Sequence, residues 1–138
     1  MLKRLLSPFT DRSYALLRIV SGLLFSFHGL QKICHVLTPY PAPALGTQIW
    51  FGGMIELVAG LAIALGLFTR CAALLASGTM AVAYAQFHWK FQGGAQLLPG
   101  VNGGEPAALY AWLFLFMACR GAGPWSIDER KPRAADAG

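Results

Sequence analysis

The sequence predicts an all-α membrane protein, a four-helix bundle whose helices run antiparallel, up-down-up-down. Three observations predict it. Four apolar segments approach the roughly 17–20 residues that cross a hydrocarbon core. Only 12% of the 138 residues are charged and 56% are hydrophobic, about half the charge of an ordinary soluble domain. A chain this short leaves much of its surface exposed, so lipid is the solvent that fits such a deficit. The basic residues, finally, gather at the chain ends and at one tight turn, as in the cytoplasmic loops of membrane proteins.

The segments cover about residues 14–30, 50–68, 71–87 and 106–120. Each is uniformly apolar with embedded small residues and lacks strand alternation, so helix is indicated. Lipid also forces backbone polar groups to pair within a segment. Thr69 and Arg70 alone separate the second and third segments, which therefore form a tight hairpin. Pro41, Pro43 and Gly46 mark a loop after the first segment, and Gly93-Gly94, Pro99-Gly100 and Gly103-Gly104 mark a longer one before the fourth. Residues 124–138 form a polar tail that ends in Ala-Ala-Asp-Ala-Gly and is expected to fray.

Lys3, Arg4, Arg12, Arg70, Arg120, Arg130, Lys131 and Arg133 fall on one side of the membrane and only Lys32 and Lys90 on the other. The positive-inside rule then places both termini in the cytoplasm of an inner-membrane, multi-pass protein. Trp50, Trp89 and Trp125 sit at segment ends, where interfacial anchors belong. The first segment carries Arg18 and His28 and leads into a proline-rich loop, which disfavours a cleaved signal peptide. No basic stripe interleaved with aromatics points to nucleic acid. Cys34, Cys71 and Cys119 make no CxxC pair, no disulfide framework and no zinc knuckle, and read as small apolar fillers.

Ionisable residues inside such segments are costly and are candidate functional groups. Arg18, Ser21, Phe25, His28, Lys32 and His35 alternate spacings of three and four and share one helical face. Glu56 lies between Gly52 and Gly60, which suggests a close helix contact at its level. At 1.5 Å per residue, Glu56 and His28 both lie about 9 Å inside the outer edge. Tyr84, His88 and Tyr110 fall at similar depth and Lys32 near the boundary. Arg18 lies about 6 Å inside the opposite edge, too far to pair with Glu56, and is left to snorkel toward lipid phosphates or to meet Asp11 or Asp128. The candidate ligand-binding set is therefore His28, Lys32, Glu56, Tyr84, His88 and Tyr110. Arg18, Arg70 and Glu105 are assigned to structure and topology, Glu105 as a charge at a helix N-terminus. The same cluster reads equally as a buried network that holds helix register. A metal site lacks local ligand spacing. No GxGxxG, Walker, nucleophile-elbow or HExxH pattern occurs, so no catalytic residue is assigned.

These polar residues and their surroundings resemble the DoxX family of small bacterial membrane proteins. The pieces are Leu17-Arg18-Ile19 leading to Gly22, His28-Gly29 with Lys32, and the run from Gly53 through Glu56 to Gly60. They continue with Gly66-Leu67-Phe68-Thr69-Arg70, Asn102-Gly103-Gly104-Glu105 and Gly123-Pro124-Trp125-Ser126-Ile127-Asp128. The ordered combination from about Asp11 to Asp128 is fairly specific. The resemblance implies a four-helix inner-membrane protein. It also loosely implies redox chemistry, since the family is named for a thiosulfate:quinone oxidoreductase and other members associate with redox-stress complexes. No flavin, haem or iron–sulfur signature accompanies it.

Three functions follow as expectations. One is an accessory or redox-associated subunit, possible partner of other membrane or redox proteins, that binds a quinone or similar small ligand in the outer cluster. The second is a small-solute or proton-coupled permease, and the third a non-catalytic membrane assembly factor. A cluster closed toward the cytoplasm favours the first, and one connected to both faces favours the second.

Overall fold

A computed structural model describes residues 1–130. Among them every regular element is helical. The order is α1 (Leu2–Leu6), a 3-10 turn (Ser7–Phe9), α2 (Thr10–Cys34), α3 (Gln48–Leu65) and α4 (Thr69–Ala83). A π-helical run (Tyr84–Trp89), a 3-10 turn (Gly94–Leu97), α5 (Pro99–Asn102), α6 (Glu105–Arg120) and α7 (Ile127–Arg130) complete it. By length and apolar composition two helices suffice to cross a membrane, the continuous run Leu2–Cys34 and Gln48–Leu65. The expected third and fourth segments form shorter helices of 15 and 16 residues. The third is cut short because its C-terminal end changes from α to π winding at Tyr84.

The run Leu2–Cys34 has 33 residues, about 50 Å of helix against a hydrocarbon core of about 30 Å. The surplus falls at its start. There Leu2, Leu5, Leu6 and Phe9 are exposed beside Lys3 and Arg4, a composition suited to the membrane interface.

Two antiparallel helix pairs make the core. In the first, α2 and α3 touch backbone to backbone through glycines. A Cβ at Gly60 would sit 2.5 Å from the Ser26 amide nitrogen, and one at Gly22 would sit 2.6 Å from that of Ala64. Gly29 is in the same close contact with Gly53 and Leu57. The glycine expected beside Glu56 is therefore Gly53, not Gly52, which has open space over it. One residue of register, about 100° around the helix, separates a contact face from an open one. In the second pair, Ser77 on α4 donates to the Ala111 carbonyl of α6 at 2.8 Å.

Large side chains join the pairs. Phe25 of α2 packs against Tyr110 and Phe114 of α6, and Tyr14 meets Phe116 edge-on. Between α3 and α4 the contact is thinner, although only a short turn connects them. The outward faces carry Leu16, Leu23, Phe27, Val58, Leu61, Leu74, Leu109, Trp112 and Phe116, all exposed. A surface of that kind is stable in hydrocarbon and costly in water.

The chain beyond α6 is a correction to the expected frayed tail. Residues 121–130 fold back over the α3–α4 turn. Gly66 ends α3 at φ +66°, and a Cβ there would strike Ser126. The Asp128 carboxylate accepts from the Phe68 and Thr69 amides, each at 2.9 Å, and from the Thr69 hydroxyl at 2.9 Å. It thereby satisfies the first amides of α4, which its own N-cap Phe68 leaves bare. The remainder of the tail, with Lys131 and Arg133, lies outside the described residues.

Candidate functional site

The two ends of the molecule are built differently. At the end holding the starts of α2 and α4, the polar groups are engaged with backbone. Arg18 is 0% exposed. Its Nη1 donates to the Ile63 and Ala64 carbonyls at 2.7 Å each, and its Nη2 to Trp125 at 2.9 Å and Pro124 at 3.2 Å. The first two lie in the last turn of α3, where the helix dipole also favours a cation, and the Ile63 carbonyl accepts from the Gly66 amide as well. The snorkelling expected for Arg18 does not occur. Acceptors within the protein outbid lipid phosphates because α3 ends one turn away and the tail returns over it.

Arg70 does the same for α6, donating to the Ala118 carbonyl at 2.9 Å, Cys119 at 2.5 Å and Arg120 at 3.3 Å. Arg120 in turn pairs with Asp11 at 2.5 Å and stacks over Tyr14, whose hydroxyl donates to Gly121. A cavity of about 920 Å³ lies here, but its Arg70, Arg120 and Asp128 are all committed to these contacts.

At the other end a cleft of about 910 Å³ opens between the helix pairs. Five of the six predicted ligand-binding residues line it: His28, Lys32, Glu56, His88 and Tyr110. Phe25, Ile55, Leu74, Leu75, Gly78 and Phe87 supply apolar walls. Glu56, 3% exposed, holds the Lys32 ammonium on Oε1 at 2.5 Å. Its Oε2 is shielded and has no donor among the described residues. The level match of Glu56 with His28 holds only in that both line the cleft. The ion pair goes to Lys32, one turn nearer the C-terminus of α2, because its long stem reaches back along the helix. His28 is exposed, its ring 6.5 Å from the Tyr110 centroid, and Tyr110 stacks on Phe114.

Tyr84 is the sixth predicted residue and does not line the cleft. Its hydroxyl donates to the Leu97 carbonyl at 2.7 Å and accepts from Asn102, tying the long loop to the π run. Glu105 stands exposed in the first turn of α6, where a carboxylate complements the helix dipole. Gln48, missed in the sequence, lines the cleft and donates its side-chain amide to Gln86 across the mouth. It lies in the first turn of α3, at the edge of the apolar segment, where a polar residue carries no signal. The cysteines are all exposed, so they do not fill the protein core. In a lipid-facing surface a small apolar thiol has no reason to be inside. Cys71 lines the extension of the cleft toward the start of α4. No group of three or more metal-ligating side chains occurs among the described residues.

A family model described as DoxX matches residues 13–89, more than half of the chain. An uncharacterized protein of Haemophilus influenzae is 37% identical over 123 residues, spanning 84% of this chain and 88% of that protein. No solved structure matches the chain significantly.

Proposed function

The chain belongs to the DoxX family of membrane proteins, and from that premise we propose that it binds a small apolar ligand such as a quinone in the outer cleft, as an accessory or redox-associated subunit. In this reading the two helix pairs form an up-down-up-down bundle of four spans in the cell inner membrane, with both termini cytoplasmic. The observation that carries it is Glu56: a carboxylate 3% exposed, ion-paired through one oxygen only, in the wall of an apolar cleft. A purely structural network tends to satisfy every buried member. Basic residues support the orientation, since Arg18, Arg70 and Arg120 cluster at one end and Lys32 and Lys90 lie at the other.

The permease reading draws on one feature, the continuation of the cleft along α4 to Cys71. Past the level of Glu56 the lining on that helix is Leu74, Leu75 and Cys71, which offers a proton relay little to step along. Ligand binding is therefore the better-supported function.

Purification with native lipid retained, followed by mass identification of what the protein carries, tests the proposal. A lipophilic ring compound retained by the parent protein and lost from Glu56→Gln is the expected result. Phospholipid alone in both would overturn it. For the orientation, Cys34 is expected to react with a membrane-impermeant thiol reagent on intact spheroplasts and Cys119 is not; labelling of Cys119 from outside would reverse it.

A further inference from the structure

The hydrogen-bonding polarity of the cleft restricts what it can hold. Glu56 Oε1 takes the Lys32 ammonium, whereas Oε2 is shielded from solvent and has no donor. An ion-paired carboxylate offers lone pairs only. A buried acceptor left unpaired carries its desolvation cost until something donates to it. Glu56 itself lines the cleft, so an occupant there lies against its carboxyl group. Lys32 already cancels the charge, so a cationic ligand would meet an ammonium beside its own anion. The apolar walls, with Phe25, Tyr110 and Phe87, suit a ring and a hydrocarbon tail.

Resting on the reading of this cleft as a ligand site, we propose that it selects a neutral, lipophilic ring compound that donates an O–H to Glu56, and so the hydroquinone form of such a ligand over the quinone form. Lys32 could serve a quinone carbonyl with a spare proton. Its side chain, however, is 39% exposed, so water serves those protons already and a carbonyl gains little there. His28 is exposed and His88 half-buried, and a neutral imidazole pairs with donor or acceptor alike. Only the Glu56 oxygen is both buried and one-directional.

The test compares three probes built on one ring, on the full protein in lipid nanodiscs without oxygen: a short-chain benzoquinone, its hydroquinone of nearly equal shape, and the dimethyl ether of that hydroquinone. The hydroquinone is expected to bind about ten- to a hundredfold more tightly than the other two, the range for a hydrogen bond to a charged group. Glu56→Gln, which offers an amide donor in place of one acceptor, should collapse that preference. If this variant does not fold, the parent protein decides alone: the quinone lacks the donors without added bulk, the dimethyl ether lacks them with two added methyls, and both are expected to bind more weakly than the hydroquinone. Equal binding of all three, or tighter quinone binding, overturns the proposed selection and leaves the cleft a ligand site. Failure of all three to bind removes the ligand-site reading itself. A preference that survives in a folded Glu56→Gln variant shows that another group makes the selection.

Discussion

Arg18 and Glu56 are both buried charges on facing helices of the glycine-packed pair, yet the ends of the molecule they occupy are opposite in kind. Arg18 reaches four carbonyls and draws the end of α3 and the returning tail onto α2; its Nε alone lacks an acceptor, and it lines neither of the two cavities described above. Glu56 reaches one ammonium and lines a cleft with an oxygen to spare. The difference teaches that burial of a charge is by itself no mark of function. What separates a structural charge from a candidate binding group is whether the residue that keeps an unused atom also lines a cleft.

The largest effect is expected at the closed end. Arg18→Met keeps the stem but strips donors from the Ile63, Ala64, Pro124 and Trp125 carbonyls, and a buried carbonyl left without a donor costs about 1–3 kcal/mol. Membrane abundance and thermal stability should both fall sharply. Arg18→Lys should recover only part, since an ammonium cannot fork to carbonyls on two segments. Wild-type stability in Arg18→Met would erase the distinction between the ends.

Next in size is the glycine seam that holds both ends in register. Gly60→Val forces Ser26 away and should cost about 1–3 kcal/mol by overpacking, visible as a lower melting temperature. Gly52→Ala, one register step around from the contact face and over open space, should leave stability unchanged; equal damage from both would mean that α3 is rotated from the orientation described.

A smaller effect belongs to the tail. Asp128→Ala removes the cap of α4 and should cost about 0.5–2 kcal/mol. Limited proteolysis near residues 121–130 would report its release. Protection unchanged in the variant would show that Arg18, Tyr14 and the backbone bond to Gly66 hold the tail without the Asp128 carboxylate.

Much of this contrast was legible in the sequence, and the losses have physical reasons. Spacings of three and four put Arg18, Phe25, His28 and Lys32 on one face of α2, and that stripe passes from buried at Arg18 and Phe25 to open at His28. The rise per residue brought His28, Glu56 and Tyr110 to one depth, and all three line the cleft. The role of Arg18 was hidden because its acceptors are backbone carbonyls, which every residue has and no motif marks. Gly53 was passed over for Gly52 because pattern alone does not fix the rotation of a helix that is apolar all round. Tyr84 left the predicted set because the loop from Gly94 to Gly104 folds in beside it and takes its hydroxyl.

The smallest expected change in stability carries the central claim. Glu56→Gln keeps the shape of the side chain, and loss of a pair whose lysine is substantially exposed should shift stability by about 1 kcal/mol or less. The decisive measurement is made on Glu56→Gln and Arg18→Gln side by side: membrane abundance and melting temperature together with the amount of copurifying lipophilic ring ligand. The account predicts that Glu56→Gln stays abundant and stable but arrives empty, whereas Arg18→Gln is depleted and what survives still carries ligand. A Glu56→Gln protein that is lost from the membrane as Arg18→Gln is would make Glu56 a second structural charge and contradict the account.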